Sequence, residues 1–191
     1  IFQTTVGKDY ELTRPTEKLD DPKSHEYYIA KEFDYGCHGP MALPYVFCKG
    51  DGVYLHDVTG KRYLDFMSSF GAVNQGHCHP KIRDVMIDQM NKLTLTCVSG
   101  YNDKLGPTYE FMCGKFGFQK VHFANGGVEA VEHAVLLARR WGYEVKKVKD
   151  GKARILFPHG AYWGRSIAAR AGQDHPEALY HFGPFGLNFS I

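Results

Sequence analysis

The 191 residues contain no run of 18 apolar residues, no Cys-x-x-Cys pair, no internal repeat and no low-complexity tract. The first absence excludes a membrane-spanning helix of the chain's own. The five cysteines, Cys37, Cys48, Cys78, Cys97 and Cys113, are odd in number and irregular in spacing. That argues against a zinc ribbon or a secreted disulfide framework and fits a reducing compartment. An excess of one charge is also missing: Lys plus Arg is 23 and Asp plus Glu is 21, a formal net charge of +2. A chain so close to neutral has no electrostatic reason to bind nucleic acid. Aromatics at 14% and apolar residues at 43% argue against disorder and for a folded core. The chain opens on Ile1 with no signal-peptide pattern, which either a removed targeting segment or an incomplete sequence would explain. It ends on the apolar run 185–191, which reads as an element that continues.

What is present divides by pattern. Residues 1–24 read as an extended polar arm, and 25–34 as a short helix. Tyr45–Cys48, Val53–Asp57 and Arg62–Phe66, joined by turns at Lys49–Gly52 and Thr59–Lys61, predict a small antiparallel meander. Pro80 suits the first turn of a helix, and Ile82, Val85, Met86, Met90 and Leu93 recur at helical spacing after it. A further helix is expected over 103–116, with Leu105, Tyr109, Met112 and Phe116 on one face. The pattern then turns α/β. Lys120–Ala124 reads as a strand, Asn125-Gly126-Gly127 as a tight loop, Val128–Tyr143 as a long helix and Arg154–Phe157 as a second strand. Val131, Ala134, Val135, Ala138 and Trp141 form that helix's expected buried stripe. Strand, helix, strand in this order predicts parallel pairing through a right-handed crossover. The domain division read from this pattern is 1–75 for the arm and meander and 76–191 for an incomplete large α/β domain.

Three segments could carry chemistry. Gly126 and Gly127 run into a helix start, where backbone N–H groups and the helix dipole favour an anion such as phosphate. Tyr162-Trp163-Gly164-Arg165 places an aromatic ring beside a fixed cation, a pattern able to stack a planar ring and hold a carboxylate. The loop from Phe66 to Pro80 is long and rich in small polar residues, as site-lining loops often are. Its His77-Cys78-His79 triplet has no second cluster to complete a tetrahedron, so no metal site is expected.

In unbroken order the chain carries DGVYLHDVTGKRYLDF, AVNQGHCHPKI, KLTLT, NGGVEA, LARRWGYEVK, YWGR and FGPF. These segments together resemble the ornithine aminotransferases, class III and fold-type I enzymes that use pyridoxal phosphate (PLP). The resemblance runs from about residue 27 to the end. It implies a partial fold-type I α/β architecture: arm and meander, then the first strand–helix–strand part of the large PLP-domain sheet. It places Gly126, Gly127 and Val128 where the family wraps the cofactor phosphate. Tyr162 falls where an aromatic stacks on the pyridine ring, and Arg165 where an arginine holds a substrate carboxylate.

The same resemblance shows what differs. The anchoring lysine and the acid that holds the pyridinium nitrogen lie, in the family, beyond the point matching Ile191, so no catalytic residue is expected in this chain. Gly126 stands where the family usually has a Ser or Thr hydroxyl, a loss of about 1.5–3 kcal/mol, or roughly tenfold or more in cofactor affinity. Val131 replaces a glycine, and Pro40 and Phe70 replace two tyrosines that contact substrate. These departures imply a catalytically inactive, truncated relative serving as a structural or accessory subunit of a mitochondrial assembly, in the matrix or on the matrix side of the inner membrane. Other protein subunits would then cover the incomplete sheet, and the chain alone would hold no cofactor. The alternative is the N-terminal part of an active ornithine δ-aminotransferase, with PLP as cofactor. A third reading is a PLP or phosphate binder without turnover.

Overall fold

The structure is a computed structural model that describes residues 13–37, 43–97, 99–186 and 189–190. Within it the described residues fall into two units, Ile1–Cys97 and Val98–Ile191, taken here one at a time.

The first unit begins with a segment held against helix α1 (His25–Tyr35) by a bidentate pair. Arg14 donates from Nε and Nη2 to the two carboxylate oxygens of Asp34, each at 2.7 Å. Ser24 caps the helix: its Oγ accepts from the Tyr27 amide at 3.1 Å. Strands β1 (Phe47–Asp51), β2 (Tyr54–Asp57) and β3 (Arg62–Leu64) form the expected antiparallel meander in the order β1-β2-β3. A bulge at Cys48 shifts the register, so Phe47 faces Asp57 while Lys49 faces His56.

Asp57 anchors the meander. It is 1% exposed, yet its carboxylate accepts from the Thr59 amide and hydroxyl, the Lys61 amide and the Tyr63 hydroxyl, at 2.7–2.9 Å. His25 Nε2 stands 3.3 Å from Oδ2. Burial alone would raise the Asp57 pKa. The hydrogen bonds from Thr59 and Tyr63, joined by the two amides, override it and hold the pKa far below the ordinary carboxylate range. Burial and the bond to Asp57 push the Tyr63 phenol up to about 12.

The loop after β3 returns to the meander. His77 and Gly52 exchange backbone hydrogen bonds at 2.7 and 3.1 Å, and His77 Nε2 meets Asp65 Oδ2 at 2.7 Å. Gly50 is required here, because a Cβ on it would lie 2.7 Å from His77 Cβ. Within the loop Ser68, Ser69 and Phe70 take φ of 48°, 50° and 56°, followed by Gly71 at 87°. Left-handed backbone at three consecutive non-glycine residues stores strain. Helix α2 (Pro80–Lys92) closes the unit, with proline in its first turn as expected.

In the second unit, α3 (Leu105–Phe116) starts where Asn102 Oδ1 accepts from the Lys104 and Leu105 amides. It ends at Gly117 in the left-handed conformation, φ 72°. Helix α4 (Gly127–Glu144) is the longest element. Strand β4 (Ile155–Leu156) precedes two short helices, α5 (Ile167–Ala171) and α6 (Pro176–Leu179), which periodicity did not announce. Strand β5 (Phe189–Ser190) pairs in parallel with β4.

Two expectations are corrected. Lys120–Ala124 forms no strand: a strand exists only where a ladder partner satisfies its backbone, and none pairs with this segment among the described residues. The parallel pairing of β4 is therefore with β5, not with 120–124. The α4 stripe is also less buried than its period predicts. Val135 is buried and Val131 half-buried, but Ala134, Ala138 and Trp141 are exposed. The α2 row is likewise open, with Val85 67% and Met90 64% exposed. Periodicity selects a face, and burial needs a second surface to meet it. The buried apolar residues among those described are Ala30, Val135, Ala153 and Ala169.

Candidate functional site

The glycine loop meets α4 as the sequence suggests. Gly126 is the N-cap residue, extended at φ −153° and ψ 164°, with no side-chain capping bond. The first intrahelical bond runs from the Ala130 amide to the Gly126 carbonyl at 3.0 Å, so the amides of Gly127, Val128 and Glu129 precede the helical ladder. Glu129 reaches back, and its Oε2 accepts from the Asn125 amide at 2.7 Å. Apart from the adjoining residues and the helix's own backbone, no atom lies within 4 Å of where a side chain would begin on Gly126 or Gly127. A phosphate ester fits this end of the site: open approach, helix-start donors and a favourable dipole. The fit lacks one donor, the hydroxyl that a Ser or Thr at position 126 would supply.

The segment carrying Tyr162 and Arg165 is brought against this helix start by backbone contact. Gly164 has φ 147°, and a Cβ on it would lie 2.4 Å from Val128 Cγ2. Thus Val128, at the glycine loop, packs on the residue between Trp163 and Arg165. A second link joins Ser166 Oγ to the Glu132 carboxylate, one turn into α4. Tyr162 is 68% exposed and Arg165 is exposed, so both side chains are accessible. Trp163 turns the other way and stacks on Phe157, ring centroids 5.2 Å apart.

Two residues that sequence reading passed over hold this segment. Buried Gln173 donates from Nε2 to the Gly164 carbonyl at 2.7 Å and to the Ala169 carbonyl at 3.0 Å. Asp174 accepts from the Gly160 amide at 3.1 Å and meets His159 Nδ1 at 2.5 Å. The His159 hydrogen bond, then the Gly160 amide, lower the Asp174 pKa. Adjacent side chains therefore grip the loop at Gly160 and at Gly164, on either side of Tyr162. No motif marks them, because their role depends on a chain reversal through α5.

The remaining departures are placed as follows. Val131 is half-buried on α4, one turn after Gly127. Phe70, in the first unit, is 83% exposed at the strained turn. Pro40 lies outside the described residues. His77 and Cys78 make no metal cluster: His77 is engaged by Asp65, and no group of three or more candidate ligands occurs among the described residues. No helix among them is long and apolar enough to cross a membrane.

Comparison with known proteins gives one consistent answer. Residues 36–190 match the family described as Aminotransferase class-III. The mitochondrial ornithine aminotransferase of Rattus norvegicus is 46% identical over 177 residues, which is 93% of this chain and 40% of that protein. A probable mitochondrial ornithine aminotransferase of Caenorhabditis elegans is 47% identical over 159 residues, 83% of this chain and 38% of that one. Among solved structures, an ornithine aminotransferase from Toxoplasma gondii, with partial occupancy of PLP at its active site, superposes with a TM-score of 0.86 at 35% identity. That match covers 89% of this chain and 40% of the other. An acetylornithine aminotransferase from Elizabethkingia anophelis gives a TM-score of 0.73 at 42% identity, covering 88% of this chain and 40% of its own. The chain thus spans about 40% of the length of these relatives. The resemblance read from the motifs and the partial α/β fold it implied are both borne out.

Proposed function

The chain belongs to the class-III aminotransferases, and from that premise we propose that it is an ornithine-aminotransferase-type scaffold, not catalytic by itself, serving as a structural or accessory subunit of a larger mitochondrial assembly. The observation that carries this reading is the phosphate loop: Gly126 occupies the helix N-cap without a side-chain capping bond. Phe70 offers no hydroxyl at its exposed turn. The apolar rows of α2 and α4 support a partner-dependent role, because surface of this kind marks an interface waiting for cover. The mitochondrial assignment rests on the relatives that carry that address in their names.

PLP, when bound in this family, supplies an electron sink at the substrate's amino carbon. Gly126, Gly127 and Val128 would hold its phosphate through backbone N–H groups and the α4 dipole. Tyr162 would lie against the ring, held in place by the grip of Gln173 and Asp174 on its loop. Arg165 would pair with a substrate carboxylate.

The experiment is native purification followed by intact mass and composition. A polypeptide of 21.6 kDa that travels with unrelated subunits and shows no transaminase activity is the expected result. A single homogeneous polypeptide of more than twice that mass, as long as the relatives and active, overturns the reading.

That second outcome corresponds to the alternative, in which these residues are the N-terminal part of an active ornithine δ-aminotransferase moving the δ-amino group of ornithine to 2-oxoglutarate. The likeness at 46% identity across 93% of the chain favours it. PLP would then be the resident cofactor, and visible absorbance of the purified protein reports it.

A further inference from the structure

We propose that His122 and His133 form a two-imidazole binding site for a divalent transition-metal ion of the nickel(II) or copper(II) type. His122 Nε2 stands 2.8 Å from His133 Nδ1, with ring centroids 4.6 Å apart and planes at 65°. One ring comes from the segment leading into the glycine loop and the other from the second turn of α4. The pair is solvent-accessible, His122 exposed and His133 half-buried.

The distances select the geometry. Two nitrogens bound at right angles to one metal, with bonds of about 2.0 Å, stand about 2.8 Å apart. A tetrahedral zinc ion would spread them to about 3.3 Å. The observed separation therefore fits neighbouring corners of a square-planar or octahedral set, the preference of nickel(II) and copper(II) in nitrogen and oxygen surroundings. Rings aligned along a straight hydrogen bond would put the centroids about 5 Å apart. At 4.6 Å the two rings stand closer than that straight arrangement and are tilted to one another, which leaves room for an ion beside the nitrogens.

The proton balance is simple. In the observed contact one imidazole nitrogen donates to the other. The ion takes both facing lone pairs, and the shared proton moves to the outward nitrogen of the same ring, so no proton is released. Glu129, four residues before His133 on the same face of α4, adds negative charge nearby while its Oε2 accepts from Asn125. No third His, Cys, Asp or Glu completes a cluster among the described residues, which leaves the other coordination positions to water.

Nickel(II) is the probe, titrated into the purified protein with its cysteines alkylated so that imidazole binding is read alone. One saturable site per chain is expected. His122→Gln and His133→Gln, which keep a hydrogen-bonding group of similar reach, should each raise Kd at least tenfold, and His56→Gln should leave it unchanged. Paramagnetic broadening in the unaltered protein should strike the ring protons of His122 and His133 before those of the other histidines. Unchanged affinity in both variants, no saturable binding, or first broadening at other histidines overturns the proposal.

Discussion

Gln173 holds Gly164 in place: its side-chain amide donates to the Gly164 carbonyl at 2.7 Å from a position buried beneath the loop. The bond fixes the backbone two residues beyond Tyr162. Gln173→Leu keeps the bulk and removes the donor, leaving the Gly164 carbonyl short of a partner at a cost of about 1–3 kcal/mol. Urea denaturation should show this as a lower midpoint. Trp163 emission should shift to the red as its stack on Phe157 loosens.

Gly164→Ala should be harmful for a different reason. The added Cβ would stand 2.4 Å from Val128 Cγ2, in a backbone conformation that L residues rarely adopt. Valine on a helix is stiff and cannot swing away. Overpacking of this kind costs about 1–3 kcal/mol, and the strained φ adds to it. Combining it with Val128→Ala should recover part of the loss, a coupling that a double-mutant cycle measures.

Gly126→Thr should strengthen phosphate binding. The position is extended, and a Cβ placed there meets no atom beyond the adjoining residues. A hydroxyl there adds a donor to the anion, worth about tenfold in affinity for PLP or inorganic phosphate. Titration followed by absorbance or calorimetry checks it. An unchanged affinity would mean that this end of α4 does not receive phosphate.

The Asp57 cluster sets a pH window. Its folded pKa is depressed, so its contribution to stability is complete above the ordinary carboxylate value and is lost as pH falls through the folded one. Tyr63 has the opposite sense: its pKa is raised to about 12, so its contribution is complete below the ordinary phenol value and lost as pH rises through about 12. Thermal melts of the protein across pH should therefore fall at both extremes. Asp57→Asn should remove the acid limb and lower stability at neutral pH. Tyr63→Phe should remove the alkaline limb.

The elements that were legible in the sequence are those fixed locally. The rows at Ile82–Leu93 and Leu105–Phe116 gave helices within two residues of their observed ends, because a helix closes its own hydrogen bonds. The meander followed from turns at Gly52 and Gly60, both at positive φ. The lack of a strand at 120–124 was not legible, since strand formation depends on a neighbour that no local signal reveals. Burial of Trp141 failed for the same reason. Of the candidate site, Gly126 and Gly127 announced themselves as small residues ahead of a helical period. Gln173 and Asp174 did not, because their meaning arises only when the chain doubles back onto Gly164 and Gly160.

The pairing of His77 with both Gly52 and Asp65 closes residues 65–77 into a non-covalent ring. A protease that cuts once between Ser68 and Asn74 would leave two fragments still fastened together at the base, and the nicked protein would run as one species on a sizing column. Acid that protonates Asp65 would remove one of the two fastenings and leave the backbone pair between His77 and Gly52 to hold the base alone.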